Sequence, residues 1–269
     1  MNRFLFILTF LIVTISCTRN AVTGRNQFKL VSNEEVQLLA ASQYKQFLSS
    51  NKILSATVNE DAQMVQRVGQ RLTAAITAYY TSLGKVNVLN GFNWEYNLLD
   101  SKEINAWCMP GGKIAVYSGM LSVTENEAAL AVVMSHEIAH ALAQHWRERI
   151  SYGMVQEYGN IAQSVSLPNN PGETQSMFLN AYGIGSEFGT VLPFSHKDEF
   201  EADKYGLKFA ALSGYDPKEA INLWERLEKT SNNGKHPDFL ITHPWEENRL
   251  AHLKDQMPEV LKLYNPINR

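Results

Sequence analysis

"TENEAALAVVMSHEIAHALAQHWRERI", residues 124 to 150, contains the five residues His136-Glu137-Ile138-Ala139-His140 on which the reading of the chain turns. Apolar residues recur along it at helical spacing, and nothing breaks the pattern before Gly153. Thr124 with Glu127 reads as a capping box that opens one long amphipathic helix. On such a helix, positions i and i+4 lie one above the other, so His136 and His140 point the same way and their imidazoles can converge on one ion. Glu137 sits about 100° round the axis, close enough to reach a water on that ion. This is the logic of H-E-x-x-H: two nitrogens hold Zn2+, and the glutamate is the general base toward a metal-activated water. The competing reading is a chance pair of histidines. Small neighbours (Ala131, Ala139, Ala141, Ala143) favour the metal, because they let other elements approach closely.

A catalytic zinc takes three protein ligands and leaves one position open. An extended histidine pattern would need a glycine at 143 and a histidine at 146, where the chain has Ala143 and Trp146. His145 lies about 140° round a continuous helix from His140, which makes it a solvated or capping histidine. "DEFEAD", residues 198 to 203, offers another route. Glu199 and Asp203 share one helical face, so Glu199 can be the third ligand while Asp203 receives the free N–H of a ligating histidine. Glu201 faces elsewhere. The plainer reading of the same residues is a solvated acidic face.

The chain of 269 residues is long enough for one large domain or two small ones. A net charge of -3 argues for neither a nucleic-acid binder nor a polybasic membrane surface. Two cysteines, Cys17 and Cys108, are no disulfide framework. The start, "MNRFLFILTFLIVTISCTRN", has Arg3 before an apolar run from Phe4 to Ile15, too short to span about 30 Å of hydrocarbon. It reads as a secretory signal. Ser16-Cys17 resembles a bacterial lipobox, with lipidation of Cys17; Thr14 departs from the usual leucine-like residue, and an ordinary cleaved signal or an uncleaved anchor are the alternatives. Cys108 then reads as a small buried apolar residue. The expected organisation is a signal peptide over 1–16, a polar tether over 17–30 and one domain over 31–269. No later stretch reaches 18 apolar residues, so the body is expected to be tethered rather than multi-spanning.

The remaining patterns are mostly helical. Ser32 with Glu35 is a capping box, and Met64, Val65, Val68, Leu72 and Ile76 lie at helical spacing. "FNWEYNLLD" alternates as a strand, and "EINAWCMPGGKIAVYSGML" reads as two strands around Pro110-Gly111-Gly112. Together they make a small three-stranded sheet. Residues 154 to 194 read as loop and glycine-dotted chain. A helix through Glu199 ends at Gly214, another begins near Asp216-Pro217, and "WEENRLAHLKDQM" closes the chain as a helix. The fold class is α+β, mostly helical.

In this order the segments resemble the zinc metallopeptidase family of the HtpX heat-shock protease and the CAAX prenyl protease, in its bacterial lipoprotein branch. The resemblance rests on "TGRNQFKLVS", "INAWCMPGGKIAVYSGML", "HEIAHALAQH", "LPFSHKDEFEADKYGL", "GYDPKEAINLWERL" and "THPWEENRL". It implies a zincin-type (gluzincin-like) fold with one Zn2+ per chain, held by His136, His140 and Glu199. It implies Glu137 as general base, Asp203 as the carboxylate behind a ligand, and His243 and Arg249 as groups steadying the developing oxyanion. The chain departs from the family at Ser195-His196, where Ser-Arg is usual, and at Asp198, where a histidine is common. An arginine contact is then missing, and His196 becomes an adventitious metal contact. The implied substrates are unfolded or damaged envelope polypeptides. The implied location is the periplasmic side of a bacterial membrane, the outer one, held by lipid at Cys17. Ile114 to Tyr117 is the candidate free edge for adding a substrate strand, and the same residues read equally as an ordinary core strand. A different class of protein fits the same residues: a latent or weakly proteolytic chaperone or assembly factor, with His243 in the fourth zinc position.

Overall fold

The computed structural model describes residues 17–158, 194–232, 237–244 and 248–266, without the side chains of 156–158. The expected signal peptide, the "LPNNPGE" loop and the glycine-dotted stretch lie outside the described residues. Among the described residues, no helix is long and apolar enough to cross a membrane.

Residues 17–30, expected as a tether, carry a two-stranded antiparallel hairpin, β1 (Cys17–Arg19) and β2 (Asn26–Phe28). Next comes α1 (Asn33–Ser50), opened by the Ser32–Glu35 capping box with both reciprocal bonds present. The two-residue strand β3 (Ile53–Leu54) leads to α2 (Glu60–Ser82), whose buried face includes Val65, Val68, Leu72 and Ile76. The main sheet then forms from β4 (Glu95–Leu99), β5 (Ala106–Met109) and β6 (Lys113–Tyr117).

Four strands make this sheet, in the order β3-β4-β6-β5, where three were expected. The added strand is too short to leave a pattern in the sequence. β5 and β6 are the antiparallel hairpin read from Pro110-Gly111-Gly112, with Gly111 and Gly112 both at φ 82, a region that favours glycine. β4 pairs with β6 in parallel, Glu95 opposite Lys113 through Leu99 opposite Tyr117. β6 is therefore internal, and the expectation of a free edge at Ile114–Tyr117 is corrected: β5 is the terminal strand on that side and β3 on the other. All five residues of β6 are buried, as a strand covered on both faces requires. From α1, the Tyr44 hydroxyl donates to the Ile114 carbonyl at 2.8 Å and packs that helix on the sheet.

A short helix α3 (Ser118–Thr124) follows β6. Thr124 belongs to its end rather than to a capping box, and Glu125 takes φ 61 at its C-cap. The next helix, α4 (Glu127–Leu142), is capped by Asn126, whose side chain accepts from Ala129 N. It is not amphipathic: every residue from Ala129 to Leu142 is buried. A helix apolar all round belongs in the middle of a core. α2 and β5 pack against it, as do α6 (His196–Leu212) and α7 (Glu219–Asn232).

The long helix expected through Gly153 is interrupted. α4 ends at Leu142, Gln144 adopts φ 55, and α5 (His145–Tyr158) starts afresh. Neither glycine nor proline causes the break. Ala143 O, freed by it, accepts from Asn20 Nδ2 at 2.7 Å and Gln27 Nε2 at 2.8 Å, so the N-terminal hairpin satisfies the helix end. A five-residue helix α8 (Asp238–Thr242) and α9 (Arg249–Leu261) complete the described chain.

Candidate metal centre

α4 and α6 cross closely because a glycine lies where they meet. A Cβ on Gly206 would sit 2.9 Å from His136 Cα. The crossing sets His136 and His140 on α4 against Glu199 and Asp203 on α6. All four are buried, and His140 is fully enclosed.

Ligating atoms of His136, His140, Glu199 and His243 all lie within 4.8 Å of one another. His140 Nε2 is 3.1 Å from His136 Nε2 and 3.2 Å from Glu199 Oε1. His136 Nε2 is 3.5 Å from Glu199 Oε2 and 3.3 Å from His243 Nδ1. The His243 Nδ1 to Glu199 Oε1 distance is 2.9 Å. Ligands about 2.0–2.1 Å from a tetrahedral zinc stand roughly 3.3 Å apart, so this spacing fits one such ion.

The charges fit as well. Burial pulls the His136 pKa down, yet bonds to Asp203 and Glu199 outweigh it and lift the ring to about 9. The pocket therefore favours positive charge at that point. Burial, with His136 and His145 beside it, holds His140 well below the ordinary histidine range although Glu199 opposes this, which keeps a lone pair on the ring. Glu199 is held well below the carboxylate range although burial opposes this, because His243 and Arg249 face it.

Asp203 lies where its spacing placed it, with Oδ1 2.9 Å from His136 Nδ1. Its carboxylate is gripped by Arg249, whose Nε and Nη2 each donate at 2.8 Å. The third arm of that guanidinium, Nη1, is 2.8 Å from Glu199 Oε2. Trp224 lies beneath it, 3.6 Å from ring centroid to Cζ. Arg249 is only 1% exposed. The expectation that it steadies an oxyanion is therefore corrected: its donors turn to two buried carboxylates, Asp203 behind His136 and Glu199 within the cluster itself. His243 does reach the centre, at the C-cap of α8 and stacked on Phe239.

Glu137 is fully buried, and burial raises its carboxyl pKa. Among the described residues, His243 Nε2 lies 3.2 Å from Glu137 Oε1 and the Cys108 backbone faces the carboxylate, yet neither meets an oxygen with full hydrogen-bond geometry. A buried polar group in that condition is costly and is kept at sites that use it.

Two residues depart from their expectations. His196 is exposed at the start of α6 and outside the ligand cluster. His145 is neither solvated nor a cap: the break at Gln144 turns it back under His140, where it is fully buried, with its Nδ1 2.9 Å from His140 Nδ1. A continuous-helix projection cannot find it. Arg25 went unread too. It meets Glu148, Asp198 and Glu201 from the N-terminal hairpin.

Comparison with known proteins agrees with this geometry. The profile of peptidase family M48 matches residues 59–257. The mitochondrial metalloendopeptidase OMA1 of Schizosaccharomyces pombe is 30% identical over 240 residues, covering 88% of this chain and 66% of that protein. OMA1 of Arabidopsis thaliana is 34% identical over 185 residues, 66% of this chain and 35% of that one. The beta-barrel assembly-enhancing protease of Escherichia coli is 28% identical over 193 residues, covering 67% of this chain and 39% of that protein. The chain thus spans from about a third to two thirds of the length of these relatives.

Proposed function

The chain belongs to peptidase family M48, a zinc metallopeptidase family, and from that premise we propose that it is a zinc-dependent endopeptidase. In this reading, His136, His140 and Glu199 hold the ion. When bound, Zn2+ supplies Lewis acidity that polarises the scissile carbonyl and acidifies a water. Glu137 takes the proton from that water and returns it to the leaving amine; its raised affinity for protons and its unmet oxygens suit both transfers. Asp203 fixes the His136 ring, and Arg249 fixes Asp203 and Glu199. The observation that carries the reading is the four-residue buried cluster at tetrahedral spacing.

The proposed substrates are unfolded or misassembled envelope polypeptides, bound by adding an extended strand. β5 rather than β6 is the terminal strand for such pairing. We place the protein in the bacterial lipoprotein branch of the family, on the periplasmic face of the outer membrane. The signal-like residues 1–16 and the exposed Cys17 at the head of β1 support lipid anchoring there.

The test compares the chain lacking residues 1–17 with its Glu137→Gln variant for bound zinc and degradation of casein. Glu137→Gln keeps the metal and loses hydrolysis; a fully active variant refutes the assignment.

One observation favours a second state of the same protein. His243 Nδ1 stands among the ligand atoms and its Nε2 beside Glu137, so His243 fills the fourth position and holds the enzyme latent. His243→Ala then degrades casein faster than the parent. An unchanged or lower rate refutes latency and leaves His243 to the oxyanion.

A further inference from the structure

A histidine that binds a metal through one ring nitrogen needs a partner for the other, which sets its tautomer and orientation. His136 has Asp203. The second nitrogen of His140 meets no carboxylate; it faces His145. From His145 the contacts continue outward. Its Nε2 is 3.0 Å from Glu201 Oε2. Arg25 Nε donates to Glu201 Oε1 at 2.8 Å, and Arg25 Nη2 to Glu201 Oε2 at 3.0 Å. Arg25 also bonds Asp198 and Glu148, at 2.9 Å and 2.8 Å. The ring pair is shut off from water: Phe194 stacks on His140 at 4.0 Å.

We propose that His145 is a positioning residue for the metal centre, locked by Glu201 and Arg25 in the tautomer that carries its proton on Nε2. Its bare Nδ1 accepts the Nδ1–H of His140, and His140 Nε2 keeps its lone pair toward His136 and Glu199. This rests on the reading of His140 as a ligand.

The logic is one of donors and acceptors. Two ring nitrogens 2.9 Å apart share one proton. If it sits on His145, neutral His140 must carry its own proton on Nε2, and the metal loses that ligand. Glu201, an acceptor held in place by a guanidinium, decides against that arrangement by taking Nε2–H of His145. His145, Asp198 and Glu201 also lie close enough to hold a second ion. The guanidinium of Arg25 already neutralises those carboxylates, so the group reads as an orienting relay. Arg25 lies outside the family-matched residues 59–257. The N-terminal hairpin therefore takes part in setting the metal centre.

The test measures zinc affinity of the full chain by competition with a chromophoric chelator, with metal-free melting temperature as the control for folding. His145→Asn places an acceptor oxygen near the position of Nδ1, whereas His145→Leu fills the space without one. The expected result is a loss of roughly 10- to 100-fold for His145→Leu, with much of it restored in His145→Asn. If His145→Leu fails to fold, Glu201→Ala, at a half-buried position, is expected to weaken zinc binding about tenfold. Long-range 15N–1H spectra of the zinc-loaded parent should show His145 protonated on Nε2 and His140 on Nδ1. Wild-type affinity in His145→Leu or Glu201→Ala, equal losses in His145→Leu and His145→Asn, or the reverse tautomers overturn the inference. A parent chain that binds no zinc overturns the ligand reading with it.

Discussion

Gly206→Ala is the smallest change that tests whether the centre depends on how closely α4 and α6 approach. The added methyl would lie 2.9 Å from His136 Cα, 3.0 Å from His136 N and 3.2 Å from Ser135 C. All three atoms are backbone of a fully buried helix, so no side-chain end can swing away. Ordinary carbon contacts begin near 3.5 Å. The helices must therefore part by roughly 0.5 Å or tilt to the same effect. Two effects on stability oppose each other. Alanine is favoured over glycine inside a helix by about 1 kcal/mol. Overpacking a tight core costs about 1–3 kcal/mol. The net effect on the metal-free fold lies between neutrality and a loss of about 2 kcal/mol.

Metal binding has no such compensation. On the proposed assignment two ligands ride on α4 and one on α6, and metal sites hold their distances to about ±0.2 Å. A separation of half an ångström exceeds that tolerance. Zinc affinity should fall at least tenfold, equivalent to about 1.4 kcal/mol. Chelator competition measures the affinity, and melting with and without chelator measures the fold. Parent-like zinc affinity combined with a raised metal-free melting temperature refutes the reasoning, because the crossing would then have room to spare.

Further outcomes follow from the same contacts. Arg249→Met leaves Asp203 and Glu199 buried without their cation and should cost about 3–5 kcal/mol in chemical denaturation, as breaking one side of a buried pair does; Arg249→Lys, lacking the fork, recovers only part of it. Stripping the metal should lower the melting temperature in proportion to the logarithm of free zinc, since only the folded chain gathers the ligands. Burial lowers Lys29 from the ordinary 10.5 to about 8. The unfolded chain then binds the extra proton between those values, so stability rises with pH across that window. Lys29→Met should be more stable than the parent at pH 7, with the gap shrinking as pH passes 8 towards 10; a constant gap refutes it. Cys17→Ser should abolish incorporation of labelled fatty acid in a bacterial host, and retained label refutes anchoring at that residue.

His136, Glu137, His140, Glu199 and Asp203 were legible because each pair lies within one helix, where the helical repeat alone decides which side chains share a face. The third dimension was not. The break after Leu142 carries no glycine or proline, and it is supported by Asn20 and Gln27, more than 110 residues away. A helix continued through that point sends His145 to the wrong side. The parallel pairing of β4 with β6 was hidden for a similar reason, since pattern reveals a strand but not its neighbour. Arg25 stood in a polar stretch with nothing local to mark it; its partners are 123 to 176 residues further on.

The burial of α4 joins these observations. A helix covered on every side has no solvent face to give away, so each polar group that its own backbone does not meet needs a partner from another element. His136 takes Asp203 from α6, His140 takes His145 from beyond the helix break, and Glu137 is left with unmet oxygens. On the proposed assignment the two ligands are held and the base is not, which is the distribution a hydrolytic centre needs: fixed rings to hold an ion, and one carboxylate whose next hydrogen bond would come from the water it deprotonates. If Glu137→Gln keeps zinc but stabilises the metal-free fold, by replacing a buried carboxyl with an uncharged amide, the unmet oxygens are a cost of function. If it destabilises the fold, Glu137 is part of the scaffold, and the assignment of the base must be reconsidered.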